Sequence, residues 1–225
     1  METEAKYSLD TDAIPELEEL TAALATVGLT PSPARTVVHK DRYYDDARLS
    51  LARAGYAVRR RMAEGELLAT LKTLGTIQGA VHHRDEIELP IPDTGDPWDP
   101  WPEPIAERIR MVTDPRMLRG TCELVVQRTS FELRDGDRVV AVASFDAVGA
   151  RKPQGQRSAH WNELEVEAAR DVGDAAALLH RTQEALERLM PLVPSQQTKL
   201  ERAQALLLLG AALGPEPDAS GEEPS

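Results

Sequence analysis

The sequence predicts an α+β protein built on an antiparallel sheet with helices at its periphery. Three observations carry that prediction. Many short segments alternate polar and apolar residues with a period of two, as half-buried strands do. Gly and Pro clusters separate them at turn-like intervals. Only a few stretches show helical spacing, and they lie between or after the strands.

In chain order, residues 1–9 read as a strand. Pro15 at a first turn and the apolar spacing of Leu17, Leu20 and Leu24 predict a short helix that ends near Gly28. Thr36 to His39 forms a second strand, and Arg42-Tyr43-Tyr44-Asp45 leads to a helical turn over 48–53 stopped by Gly55. Strands follow over 56–62, 67–74 and 83–91, with Gly65 and the Gly75/Gly79 pair between them. Residues 92–104 hold five prolines with Trp98 and Trp101, which predicts a rigid loop pinned by the rings or forming a lid. A helix over 105–112 precedes Pro115. Strands over 122–134, 138–147 and 158–169 follow, the second after an Asp135-Gly136-Asp137 turn. Helices over 171–190 and 197–213 complete the domain, taken as residues 1–209. Residues 210–225 read as an acidic, proline-bearing, disordered tail.

Composition bounds the function. The chain of 225 residues carries a net charge of -12, which argues against nucleic acid as a partner. A single cysteine, Cys122, rules out an intramolecular disulfide and a thiolate metal site, and it reads as a core residue. No apolar run reaches the ~18 residues of a membrane span, and the charged start lacks the pattern of a secretory signal. The expectation is a cytoplasmic protein without membrane contact, a monomer or homodimer.

Where charge sits on the strands is more telling. Glu2, Glu4 and Lys6 share one strand face, and two like carboxylates side by side need a reward such as a divalent cation, with Lys6 reaching its anion. Arg59 and Arg61 share a face, as do Thr70 and Lys72, then Arg84, Glu86 and Glu88, then Glu163, Glu165 and Glu167. The intervening Ile87, Leu164 and Val166 are apolar. A solvent-facing surface explains any one strand, but it would mix signs. Sorting by sign points to acidic residues that hold cations and basic residues that hold a polyanion. A closed barrel of about eight strands has room for one small ligand. Charged faces turned inward would leave apolar faces outside for the helices to cover, with buried charge neutralised by metal and phosphate. Of the adjacent His82 and His83, at most one can face such an interior. His39, His160 and His180 show no ligand spacing.

These residues resemble the CYTH family, the triphosphate tunnel metalloenzymes. Its E-x-E-x-K start is matched by Glu2, Glu4 and Lys6, and its aromatic-aromatic-Asp-Thr segment by Tyr43-Tyr44-Asp45, with Asp46 in place of Thr. Ala57-Val58-Arg59-Arg60-Arg61, Thr70-Leu71-Lys72 and Arg84/Glu86/Glu88 match three further strands. Arg128 before Phe131, Asp146, Glu163/Glu165 and Lys199 complete an ordered set over roughly residues 1–205. The resemblance implies an antiparallel eight-stranded tunnel that binds a triphosphate-containing small molecule with Mg²⁺ or Mn²⁺, as two ions. It assigns Lys6, Arg59, Arg61, Lys72, Arg84, Arg128 and Lys199 to the phosphates, and Glu2, Glu4, Asp146, Glu163 and Glu165 to metal. It places Glu4, Lys72 and Glu88 in catalysis, with Glu86 and Glu88 near a second metal or the attacking water and Glu167 without a settled role. The expected activity is phosphoanhydride hydrolysis, foremost of inorganic tripolyphosphate, or of thiamine triphosphate or a nucleotide. Class IV adenylate cyclase and a non-catalytic polyphosphate-binding module are the alternatives.

Overall fold

The computed structural model describes residues 2–73, 75–92, 101–155 and 157–212. Trp98, most of the proline-rich loop and the tail from residue 213 lie outside the described residues. The strands are β1 (Glu2–Leu9), β2 (Thr30–Pro31), β3 (Arg35–Asp45), β4 (Tyr56–Ala63), β5 (Glu66–Thr73), β6 (Thr76–Gln78), β7 (Val81–Arg84), β8 (Glu86–Ile91), β9 (Arg119–Asp135), β10 (Arg138–Arg151), β11 (Ser158–Ala168) and β12 (Val193–Pro194). The helices are α1 (Leu17–Ala25), α2 (Ser50–Arg53), α3 (Glu103–Arg110), α4 (Ala175–Leu186) and α5 (Lys199–Ala212). Local chemistry sets several ends. The Glu16 N–H donates to the Glu19 carboxylate at 3.0 Å to start α1, and Gly28 at φ +75° turns the chain after it. Asp45 accepts from the N–H groups of Leu51 and Ala52, both at 3.0 Å, and so caps α2.

The strands form one antiparallel sheet in the order β6-β7-β1-β11-β10-β9-β3-β4-β5-β8, with β12 on β1 and β2 on β9. The α+β class and the curled antiparallel sheet agree with the sequence reading. The strand expected over 83–91 is instead two halves around Asp85: β7 pairs with β1, and β8 pairs with β5. The chain itself therefore joins β7, beside β6 at one end of the hydrogen-bonded path, to β8 at the other, and Asp85 is tied to Thr73 by backbone and side-chain bonds of 3.0 and 3.1 Å. With β7 and β8 counted as one interrupted strand, and the two- and three-residue strands β2, β6 and β12 set aside, eight strands surround the interior.

Over two parts of the sheet the outward positions are apolar and helices cover them, whereas outward Val38, Lys40, Arg42 and Val125 stand exposed. Helices α1 and α4 lie over Ala5, Tyr7, Phe131, Phe145, Leu164 and Val166. Helix α3 brings Ile105, Ala106 and Ile109 onto Val58, Ala69 and Leu71. Trp101 belongs to this second layer, edge-on to Tyr44 at 5.3 Å and under the Arg60 guanidinium at 5.0 Å, so it packs and forms no lid.

Two expectations need correction. The interior is not wholly charged, and α5 does not cover the outside. Ala203 and Leu207 of α5 pack on Cys122, Leu124, Val126, Val148, Ala150 and Trp161. These strand residues have the same alternation as Arg128, Asp146 and Glu163, so they face inward. Helix α5 thus fills one part of the enclosed space with apolar side chains and leaves the charged part open. The physical reason is that an enclosure of this width needs side chains to fill it wherever no ligand binds. Leu207→Ala is expected to lower stability by about 2–5 kcal/mol in urea unfolding. A loss below about 0.5 kcal/mol, the range of surface substitutions, would contradict α5 as an inner plug.

Candidate active site

Antiparallel register turns the sequence alternation into facing charges. Glu2 stands opposite Arg84, Lys6 opposite Glu165, and Lys72 opposite Glu86. Arg128 stands opposite Asp146, and Arg61 opposite Asp41. Two of the pairs that face the interior are of like sign: Glu4 with Glu167, and Asp146 with Glu163. Carboxylates facing each other at that spacing in an enclosed space are tolerated only where cations lie between them.

Around Asp146, Glu163 and Glu165 the cations are Lys199, Lys6 and Arg128. The Lys199 ammonium lies 2.9, 2.5 and 2.8 Å from Asp146, Glu163 and Glu165 respectively. Lys6 donates to Glu165 at 2.5 Å and lies 3.5 Å from Glu4. Arg128 makes a fork to Asp146, at 2.8 and 2.6 Å, and donates to Glu165 at 2.5 Å. Trp161 Nε1–H donates to Glu163 at 2.7 Å. Burial alone would neutralise these groups, but the opposite charges outweigh it. Glu165 is held well below the usual carboxylate range by Lys199, Lys6 and Arg128 against that burial, and Asp146 is lowered by Lys199 and Arg128. Burial opposes the charge of Lys6 and Lys199 too, yet their carboxylate neighbours raise both.

The opposite wall is built on Asp41, which sequence reasoning missed. Its carboxylate accepts a bidentate pair of 2.7 Å bonds from Arg61 and one of 3.2 Å from Arg59. It is lowered below the carboxylate range by Arg59 and Arg61, against burial. Its sequence signal was faint: Asp41 alternates with Tyr43 and Asp45 in a segment that leads to a turn, and nothing in the chain announces that β3 pairs with β4. Lys72 lies 2.9 Å from Glu86 and 3.3 Å from Glu2. Thr70 donates to Glu88 at 2.8 Å. Arg84 is in direct contact with Glu4.

A cavity of about 650 Å³ runs between these walls. Among its lining are Glu2, Glu4, Lys6, Arg59, Arg61, Lys72, Arg84, Glu88, Arg128, Glu165 and Lys199, so the structure brings most of the sequence-selected residues together. Asp146 and Glu163 lie immediately behind, through Lys199 and Arg128. Glu86, Glu167 and Tyr43 also face the cavity, whereas Tyr44 points to the outer layer. His82 is the inward member of its pair by register with Glu4, and its Nε2 bonds the Ser195 carbonyl at 2.9 Å. Cys122 is buried, and burial pushes its thiol up to about 11, which makes it inert. His160 and His180 are exposed.

The donor set fits a hard divalent cation. Asp146, Glu163 and Glu165 each offer a carboxylate oxygen, all within 4.8 Å of one another. Glu163 Oε1 and Glu4 Oε1 are buried and accept no well-formed hydrogen bond, although cations lie against both. No helix among the described residues is long and apolar enough to cross a membrane.

No curated protein is matched by the sequence. Solved structures do share the fold. HpAC1 of Hippeastrum, a candidate adenylyl cyclase with a dominant triphosphatase activity, aligns at a TM-score of 0.57 and 18% identity, covering 93% of this chain and 96% of its own. A candidate adenylate cyclase of Bacillus halodurans gives 0.56 and 16%, covering 90% and 96%. A protein of Pyrococcus horikoshii gives 0.55 and 17%, covering 92% and 99%. The CYTH domain family model matches residues 1–203. With that match over nearly all of the described fold, the chain belongs to the CYTH family.

Proposed function

We propose that this protein is a divalent-metal-dependent triphosphatase that hydrolyses a phosphoanhydride bond, with inorganic tripolyphosphate as the foremost substrate. The observation that supports it most is the cavity wall itself, where Lys6, Arg59, Arg61, Lys72, Arg84, Arg128 and Lys199 alternate with carboxylates. Such a wall suits a chain of phosphates together with Mg²⁺ or Mn²⁺, since either charge set alone would be costly to enclose.

In this reading Asp146, Glu163, Glu165, Glu2 and Glu4 hold the metal, as two ions, which supplies Lewis-acid polarisation of the phosphate oxygens. Arg59, Arg61 and Arg128 are planar forks that match phosphate oxygens bidentately. The Lys6, Lys72 and Lys199 ammonium groups add point charges, and Arg84 a further guanidinium, that offset the negative charge spread over the transferred phosphoryl group. Asp41 keeps the Arg59 and Arg61 guanidinium groups aimed into the cavity. Glu88, steadied by Thr70, orients the attacking water, and a nearby carboxylate accepts its proton as the P–O bond to the leaving pyrophosphate breaks. Water thereby converts tripolyphosphate to pyrophosphate and phosphate. A cyclase acting on ATP would instead release pyrophosphate and cyclic AMP, so product analysis separates the two chemistries.

Colorimetric phosphate release from tripolyphosphate with Mg²⁺, beside cyclic AMP formation from ATP, tests the reading. Phosphate release that chelation abolishes is expected; cyclic AMP as the main product would overturn it. Glu4→Gln and Glu165→Gln are each expected to lower kcat by about 10²-fold or more, the scale of one lost transition-state group, with binding less affected. Full activity in both variants would contradict the site.

Asp41→Asn leaves the cavity groups in place but loosens the two arginines, so KM for tripolyphosphate is expected to rise about tenfold or more. An unchanged KM would deny Asp41 its positioning role. The shifted groups also fix a pH window. Glu165 and Asp146 are lowered in the fold, so their stabilisation is present above the unfolded values and is lost as pH falls through the folded ones. Lys6 and Lys199 are raised, so theirs is present below about 10.4, the ordinary lysine value, and is lost as pH rises through the folded value. The urea midpoint is expected to be flat only from about pH 7 to about pH 8 and to drop on the acid side, first because burial lowers His39 and His82 and then as the carboxylates take up protons. A midpoint that rises between pH 5 and pH 3 would contradict the network.

A further inference from the structure

We propose that Lys199 is a built-in cation that competes with a divalent metal ion for Asp146, Glu163 and Glu165, so that metal binding frees its ammonium group for the phosphate chain. The proposal rests on the reading of this cavity as a metal and triphosphate site. Its basis is geometric. Lys199 Nζ stands 2.9, 2.5 and 2.8 Å from the three carboxylates, whose ligand atoms all lie within 4.8 Å of one another. A magnesium- or calcium-sized ion would take the same oxygens at about 2.0–2.6 Å. Two cations cannot share that space.

The other cations near the three carboxylates are placed differently. Arg128 is locked in its fork to Asp146, and Lys6 reaches Glu165 and Glu4. Lys199 alone among the described cations touches all three. Its side chain is only 6% exposed, so water does not share the load.

The backbone that carries it is fixed, which confines the motion to the side chain. Ser195 N–H donates to the Lys6 carbonyl at 2.9 Å, and His82 Nε2–H donates to the Ser195 carbonyl at 2.9 Å. Thr198 and Glu201 then form reciprocal bonds of 2.8 and 3.2 Å, a capping box at the start of α5. Lys199 is the first residue of that helix, and its flexible four-carbon stem already lines the cavity. A displaced ammonium group therefore turns from the carboxylates toward the space assigned to phosphate without any shift of α5. Two consequences follow. The carboxylates are neutralised before metal arrives, and metal and triphosphate bind with positive coupling, because the anion receives the displaced charge.

The test is calorimetric titration of Mn²⁺ alone into wild type and Lys199→Gln, with tripolyphosphate hydrolysis measured on the wild type. The variant is expected to bind Mn²⁺ at least about tenfold more tightly, or to bind where the wild type does not. Because loss of a buried cation can impair folding, a second measurement uses the wild type only. Lysine acetylation read by mass spectrometry is expected to rise at Lys199 relative to exposed Lys152 when Mn²⁺ is added, and to fall again with tripolyphosphate. Equal or weaker Mn²⁺ binding by the variant, or unchanged labelling at saturating Mn²⁺, overturns the competition. If hydrolysis is intact in that case, the triphosphatase reading stands. If neither protein binds Mn²⁺ and the wild type does not hydrolyse tripolyphosphate, both fall.

Discussion

A charge moved from water into an enclosed protein space costs several kcal/mol unless a partner of opposite sign meets it there. The rest of this structure follows from that constraint. Period-two strands put Glu2, Glu4 and Lys6 on one face and Ala5 and Tyr7 on the other, and the sheet curls so that the charged faces look at each other. Cross-strand register then delivers the partners, with Lys6 opposite Glu165 and Arg128 opposite Asp146. Where register sets like charges opposite, as at Asp146 and Glu163, a cation from outside the sheet completes the pair: Lys199 from α5.

The same constraint explains the division of labour among the helices. Helices α1, α3 and α4 cover apolar outer positions, which would otherwise meet water. Helix α5 does two things at once. Its Ala203 and Leu207 fill the apolar part of the interior, and its first residue carries an ammonium group to the acidic triad. A single element thus marks the border between packed core and open cavity.

Much of this was legible in the sequence because strand alternation is local. Glu163, Glu165, Arg59, Arg61 and the first strand announce their shared faces with no knowledge of partners, and an ordered set of such faces suffices to place them around one space. What was not legible depends on contacts between distant segments. Asp41 gains its meaning from the pairing of β3 with β4, whose connection is a helix and not a tight turn, so no hairpin register betrays it. The inward position of α5 hides because its apolar residues pack equally well on either side of a sheet. The break at Asp85 appears only once β7 and β8 have found different neighbours.

The most direct measurement is a crystal structure of the Glu4→Gln variant soaked with Mn²⁺ and tripolyphosphate, with manganese located by anomalous scattering. The account predicts a manganese peak among Asp146, Glu163 and Glu165 and a phosphate chain between Arg59, Arg61 and Arg128. Phosphate seated instead on the outer groove of Arg42, Arg119 and Lys152, with no manganese at the acidic triad, would contradict it.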